Sequence, residues 1–162
     1  MAEARIERVS TGVSGLDKML GGGLPKNHAY IVSGPTGSGK TILAMQFLLA
    51  GVEAGESGLL LSLQSTEDTY KEIGSTFGWD IDTLEKQQKI VLRRVDPVEI
   101  KHLVDHMNID LVDLITGMSI KRIVIDSITP FEMIFSDQYK TREMLYKLVT
   151  MLEAMDVTSI LI

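Results

Sequence analysis

The chain has 162 residues, 44% of them hydrophobic and 23% charged, a formal charge of −6 and no cysteine, which suits one soluble globular domain and excludes disorder, disulfides and cysteine chemistry. No apolar stretch reaches the about 18 to 20 residues of a membrane helix, and the charged N-terminus lacks the apolar core of a signal peptide, so we expect a cytoplasmic protein without a membrane partner. The acidic balance argues against a nucleic-acid partner, because phosphate backbones bind clustered Lys and Arg, and the paired basic residues here, Arg93-Arg94 and Lys121-Arg122, are typical of solvated strand ends.

The first predicted element is a loop over residues 12–25, where three consecutive glycines and a proline interrupt regular structure. Short apolar runs of strand length follow it, at Ala29–Ser33, Leu59–Leu63, Ile90–Leu92 with Val95, Arg122–Ile125 and Val157–Ile162. Helical patterns separate them, at Thr41–Val52, Thr66–Phe77, 98–116 and Lys140–Met155. This alternation predicts an α/β fold, in which helices cover both faces of a parallel sheet and residues 1–162 form one domain.

The segment Gly34–Thr41 reads GPTGSGKT and matches the phosphate-binding pattern GxxxxGK[ST] between a predicted strand and a predicted helix. Glycines let such a loop wrap a phosphate, so that backbone N–H groups and the positive end of the helix dipole point at the anion. We predict that this loop binds ATP, with Lys40 neutralising the β- and γ-phosphates and the Thr41 hydroxyl as a ligand of Mg²⁺. The candidate binding residues are Gly34, Pro35, Thr36, Gly37, Ser38, Gly39, Lys40 and Thr41.

A site of this kind needs a second oxygen ligand for the metal ion. Asp126 follows the apolar run Ile123–Ile125 of a predicted strand, which places its carboxylate at a strand end. Asp followed by Ser is also ordinary turn chemistry, so a capping or turn role is the alternative. We predict that Thr41 and Asp126 together hold Mg²⁺.

Four motifs are present: TGVSGLDKMLGGGLP at 11–25, GPTGSGKT at 34–41, FGWD at 77–80 and RIVIDS at 122–127. Together they resemble the KaiC-type ATPase domain of the RecA superfamily. The resemblance covers essentially the whole chain. It implies a three-layer RecA-like core in which the strand at Val157–Ile162 lies between the strand before Gly34 and the strand that ends at Asp126. It also implies ATP and ADP as ligands and a homo-oligomer, often a hexameric ring with nucleotide at the subunit interfaces.

The sequence departs from the family where the second strand ends. The family usually has a pair of glutamates there, one of which activates the attacking water, whereas this chain has Gln64 and Ser65. A glutamine holds a water but is a poor proton acceptor, and loss of a general base costs about 10²- to 10⁴-fold in rate. We therefore expect slow hydrolysis with Lys40 and Gln64 at the reaction centre. Glu67 or Asp68 is the alternative base, although acidic residues at the start of a helix also favour its dipole.

A second departure lies at Val157–Ile162, because members of the family continue beyond this strand with further strands. We expect the chain to be truncated at its C-terminus or to be a naturally reduced copy. The strand at Ala29–Ser33 would then lack a neighbour, and an unpaired strand edge invites pairing with another chain. Self-association is the resulting prediction.

The sequence thus favours an ATP-binding ATPase with weak, Mg²⁺-dependent hydrolysis and a regulatory or signal-transduction role. The main alternative is a nucleotide-gated assembly or regulatory module, in which ATP binding stabilises an interface without turnover. A recombinase-type DNA-binding ATPase would need basic loops that the sequence lacks.

Overall fold

A computed structural model describes residues 6–96, 98–100, 109–131 and 137–162. Within these ranges the strands are β1 (Arg8–Val9), β2 (Leu24–Pro25), β3 (Ala29–Ile31), β4 (Ser57–Ser62), β5 (Ile90–Arg94), β6 (Ile120–Asp126) and β7 (Thr158–Leu161). The helices are α1 (Ser14–Met19), α2 (Lys40–Glu53), α3 (Glu67–Thr76), α4 (Ile81–Lys86), α5 (Ile109–Gly117) and α6 (Gln138–Ala154).

The central sheet has five parallel strands in the order β3-β7-β6-β4-β5. β7 lies between β3 and β6, as the sequence predicts. Ile160 of β7 is opposite Tyr30 on one side and opposite Val124 on the other. The sheet therefore joins the strand before Gly34 to the strand that ends at Asp126 through a strand from much later in the chain.

Helices cover both faces of this sheet. Successive residues of β6 alternate between the two faces: Val124 packs in one buried cluster with Phe47 of α2, and Ile125 packs in a second cluster with Leu148 of α6. Burial on both faces explains why the strands are apolar at consecutive positions rather than at alternate ones. The predicted three-layer α/β architecture is confirmed.

The region 12–25 is more regular than the predicted loop. It contains the short helix α1, and β2 pairs with β1 in an antiparallel ribbon. The helix ends before the glycine triplet at residues 21–23, where every φ is positive, so the glycines break the chain only between α1 and β2. The prediction was wrong because it extended the effect of the triplet over the whole segment.

Arg122, at the start of β6, is buried and not at a solvated strand end, with only 2% of its surface exposed. Its Nε donates to Oε2 of Glu56 at 2.6 Å, and its Nη1 donates to the carbonyls of Ser10 at 2.7 Å and Phe47 at 2.8 Å. Its guanidinium carbon also lies 4.8 Å from the centroid of the Phe47 ring. Arg122 therefore fastens the N-terminal segment and α2 to the sheet, whereas the neighbouring Lys121 is exposed.

Asp17 of α1 organises the segment that Arg122 holds. Its carboxylate accepts hydrogen bonds from the Ser10 hydroxyl at 2.5 Å, the Thr11 hydroxyl at 2.6 Å and the Thr11 amide at 2.8 Å. Burial raises the pKa of this carboxyl, but the hydrogen bonds from Ser10 and Thr11 outweigh it and lower the pKa below its ordinary value. Asp17 is therefore ionised in the fold at neutral pH.

The structure also bears on the edge strand predicted at Ala29–Ser33 and on the helix predicted over 98–116. β3 is the last strand on its side of the described sheet, and its Ile31 is 61% exposed. The helix predicted over 98–116 is found in part as α5, while residues 101–108 lie outside the described ranges. Among the described helices, none combines the length and the apolar character needed to cross a membrane.

Candidate nucleotide-binding and active site

The loop between β3 and α2 has a backbone that requires glycine at its key positions. Gly37 has φ of 80° and Gly39 has φ of 87°, in the left-handed region that side chains disfavour. At Gly34 a Cβ atom would lie 2.9 Å from the Ser38 hydroxyl oxygen, a contact that rotation of the Ser38 side chain would relieve. Gly39 is also the N-cap of α2, whose first turn has no side-chain cap and no acidic residue. The first turn of α2 therefore opens onto the loop with backbone N–H groups and the positive end of its dipole.

The Lys40 side chain folds back over this loop. Its ammonium donates to the carbonyls of Gly34 at 2.8 Å and Pro35 at 2.9 Å. The loop thus carries the Lys40 ammonium beside the N–H groups at the start of α2, an electrostatic arrangement suited to a polyphosphate.

Thr41 and Asp126 meet at the carboxyl edge of the sheet. The Thr41 hydroxyl, in the first turn of α2, donates to Oδ2 of Asp126 at 2.8 Å, although 85 positions separate the two residues. Among the described residues there is no group of three or more His, Cys, Asp or Glu side chains that could enclose a metal ion. One hydroxyl and one carboxylate fit Mg²⁺, which uses few protein oxygens and completes its shell with water and phosphate.

Gln64 lies beside this pair, in the turn that follows β4. The hydroxyl of Ser127, the residue after Asp126, donates to Oε1 of Gln64 at 3.3 Å. Together with the loop Gly34–Thr41, of which all residues but Pro35 contribute, they line one open cleft of about 960 Å³. The structure therefore brings the predicted Lys40, Thr41, Gln64 and Asp126 together at one end of the parallel sheet, where ligands of such folds bind.

Glu67 and Asp68 are not among the residues that line the cleft. Both lie in the first turn of α3, and the Glu67 carboxylate accepts a hydrogen bond from the backbone N–H of Arg94 on β5 at 3.4 Å. The alternative bases Glu67 and Asp68 therefore lie outside the cleft that Gln64 lines, and a catalytic role for either stays a prediction.

Sequence reasoning missed one wall of the cleft, which α3 forms. Its lining residues are Thr69, Glu72, Ile73 and Thr76. They recur at i, i+3, i+4 and i+7 and so share one face of the helix, but only Ile73 among them is apolar, so hydrophobic periodicity does not mark this face. Phe77 continues the wall, half exposed and stacked on Trp79 with 4.8 Å between the ring centroids. The wall is mostly polar, with Ile73 and Phe77 as its apolar and aromatic part, and it faces the loop Gly34–Thr41 across the cleft.

Tyr70 lies at the base of the same cleft and is 1% exposed. Its hydroxyl donates to the Ser62 hydroxyl oxygen at 3.0 Å. Burial raises the pKa of the Tyr70 phenol to about 12, so the group is neutral and a hydrogen-bond donor at any physiological pH.

The family model "ATPase: KaiC" matches residues 9–162 of the chain. The chain belongs to the KaiC family of ATPases. With the fold and the loop Gly34–Thr41, it is a P-loop ATPase of this family.

Individual relatives and one solved structure agree with this assignment. The chain is 30% identical to a UPF0273 protein of Methanopyrus kandleri over 97% of this chain and 67% of that protein. It is 31% identical to the circadian clock protein KaiC3 of Synechocystis sp. over 96% of this chain and 32% of that protein. The crystal structure of a KaiC-like protein from Pyrococcus horikoshii OT3 superposes with a TM-score of 0.82 at 32% identity, over 96% of this chain and 71% of that chain.

Proposed function

We propose that this ATPase binds ATP with Mg²⁺ at the loop Gly34–Thr41 and hydrolyses it slowly, in a regulatory or signal-transduction role. The hydrogen bond between Thr41 and Asp126, 2.8 Å long, is the observation that carries the proposal. It joins the start of α2 to the end of β6 and so aligns two hard oxygen ligands beside a loop that binds anions.

The roles of the individual groups follow from their positions. The loop N–H groups and the Lys40 ammonium bind the phosphates and stabilise the negative charge that moves onto them during transfer. Thr41 and Asp126 would hold Mg²⁺, which would supply positive charge to the phosphates. The wall of α3 and the exposed face of Phe77 provide a surface for the nucleoside end of the ligand.

Gln64 accounts for the slow hydrolysis in this proposal. Its amide can orient a water by hydrogen bonding but cannot accept the proton that the water loses. Glu72 is the other carboxylate besides Asp126 among the described residues lining the cleft, and it is exposed. Glu67 lies outside the residues that line the cleft, and its Oε1 accepts a hydrogen bond from the Arg94 amide at 3.4 Å. We therefore assign Gln64 the orienting role and no residue the role of a strong base.

The test combines equilibrium binding of labelled ATP with a single-turnover assay of the bound ATP over hours. Lys40→Ala should abolish both, because it removes the ammonium from the loop. Lys89→Ala is the matched control, since Lys89 is an exposed lysine outside the cleft, and it should leave both unchanged. Asp126→Asn should remove the Mg²⁺ dependence of tight binding. Binding that survives Lys40→Ala and is indifferent to Mg²⁺ would refute the assigned site.

A second candidate function is a nucleotide-gated module without turnover. It is favoured by Gln64, a neutral residue at the position where the family usually has the glutamate that activates the attacking water. In this alternative, ATP binding stabilises an assembly of copies of the chain. The exposed edge of β3 with Ile31 offers a surface for such an assembly. Light scattering with and without ATP separates the two functions: ATP-dependent assembly with no hydrolysis above Lys40→Ala supports the module, and steady hydrolysis by a monomer supports the ATPase.

A further inference from the structure

We infer that Tyr70 is a positioning residue for ATP hydrolysis: its hydroxyl fixes the turn that carries Gln64 and thereby the orientation of the attacking water. The inference rests on the proposed role of Gln64. Tyr70 belongs to the helix α3, and we infer that it acts on the turn after β4.

The turn after β4 is built around the hydroxyl of Ser62. This hydroxyl donates to the carbonyl of Ser65 at 2.7 Å and accepts from the amide of Ser65 at 3.0 Å, which closes the chain on either side of Gln64. Its remaining lone pair accepts the hydroxyl of Tyr70 at 3.0 Å. A serine hydroxyl has one proton and two lone pairs, so its hydrogen-bonding capacity is fully used.

The same phenol oxygen lies close to the strand that carries the metal ligand. The carbonyl of Asp126 accepts the amide of Leu63 at 2.9 Å, and the Tyr70 oxygen is 3.5 Å from that carbonyl. The Tyr70 hydroxyl therefore lies where the ends of β4 and β6 meet, beside the turn that carries Gln64 and beside the backbone of Asp126. Removing its hydroxyl loosens Gln64 relative to the phosphates without touching the loop that binds them.

The burial of Tyr70 limits the ways in which it can act. With 1% of its surface exposed, it has no free face for a nucleotide. Its hydroxyl proton is donated to the Ser62 oxygen, so the phenol acts as a fixed donor and takes no part in proton transfer. Its effect must therefore pass through Ser62 and the turn.

Tyr70→Phe tests this directly, because it keeps the ring and removes only the hydroxyl. We expect the single-turnover rate of hydrolysis to fall about tenfold, part of the about 10²-fold that a 1 Å misplacement can cost. The dissociation constant for ATP should stay within about twofold, since no phosphate contact changes. Tyr146→Phe is the matched control, because Tyr146 is 73% exposed on α6, and it should change neither quantity.

A double-mutant cycle separates positioning from a general loss of structure. Gln64→Ala should lower the rate, and Tyr70→Phe should then cause no further loss, since the group it positions is gone. Ser62→Ala also removes both hydrogen bonds to Ser65, so it should lower the rate at least as much as Tyr70→Phe, with no additional loss when the two are combined. Rate losses that multiply in the Gln64→Ala background would overturn the inference and indicate a structural effect.

A readout independent of turnover completes the test. Affinity for ADP with aluminium fluoride and Mg²⁺, which mimics the transferring phosphoryl group, should fall in Tyr70→Phe while affinity for ADP does not. If Gln64→Ala changes neither rate nor this affinity while Lys40→Ala abolishes both, the proposed role of Gln64 fails. If Gln64→Ala lowers them and Tyr70→Phe does not, the inference alone fails. If the parent protein neither hydrolyses ATP nor binds the mimic, both are refuted.

Discussion

Arg122→Ala removes the guanidinium that fastens the N-terminal segment and α2 to the start of β6. Breaking a buried ion pair by removing one partner costs about 3 to 5 kcal/mol, and a buried carbonyl that loses its donor costs about 1 to 3 kcal/mol. Glu56 has 18% of its side chain exposed, so water will reach the freed carboxylate, and the lower end of both ranges applies. We expect a loss of about 4 kcal/mol in the free energy of unfolding, or a fall of about 8 to 16 °C in Tm.

Urea unfolding followed by far-UV circular dichroism measures this loss. Lys121→Ala, at the exposed neighbouring position, is the matched control and should stay within about 0.5 kcal/mol of the parent. Arg122→Met retains an apolar stem of similar length and separates the lost charge from lost packing. A loss below about 1 kcal/mol in Arg122→Ala would refute the reasoning, as it would mean that water replaces every contact of the guanidinium.

The remaining predictions concern turnover, pH and backbone conformation. Gln64→Glu should raise the rate of ATP hydrolysis by about 10²-fold or more by supplying a base, while Gln87→Glu, an exposed change outside the cleft, should not; equal rates would refute the assigned position of the water. The pKa of Asp17 is lowered in the fold from its ordinary 3.8, so its contribution to stability is complete above about pH 4 and is lost as pH falls through the folded pKa. The urea midpoint of Asp17→Asn should therefore fall less between neutral and acidic pH than the midpoint of the parent protein. Gly12→Ala should lower the free energy of unfolding by about 3 kcal/mol, because the φ of Gly12 is +81° and a Cβ would collide with a backbone carbonyl of α2. Gly21→Ala, at a position with φ of +69° and open space around it, should cost only about 1 kcal/mol. Similar urea midpoints for the two variants would contradict the collision.

The sheet and the phosphate loop could be predicted from sequence because their signals are local. The glycines before Lys40 and the apolar run before Asp126 each specify an element together with the chemistry at its end. The position of β7 between β3 and β6 followed from the resemblance and is confirmed. No pattern of periodicity in this sequence would have supplied the order of the strands.

The environment of Arg122 and the role of Tyr70 could not be predicted, because both depend on contacts between distant segments. A Lys-Arg pair at the start of a strand is usually solvated, but here the arginine meets Glu56 and Ser10, which lie 66 and 112 positions away in the chain. In the sequence Tyr70 is only an apolar residue of a predicted helix. Its hydrogen bond to Ser62, on which its proposed role depends, forms only in the folded structure.

The order of the strands also affects how the protein is made. Within the described sheet β3 pairs only with β7, and Ala29 is joined to Ser159, about 130 residues later in the chain. At the usual speed of about 5 to 20 residues per second, synthesis of that interval takes about 7 to 26 s. Throughout it, the phosphate loop and the strand before it emerge with no neighbour to pair with. Such late, long-range pairing slows folding and exposes the unpaired backbone groups of β3 to other chains until β7 has been made.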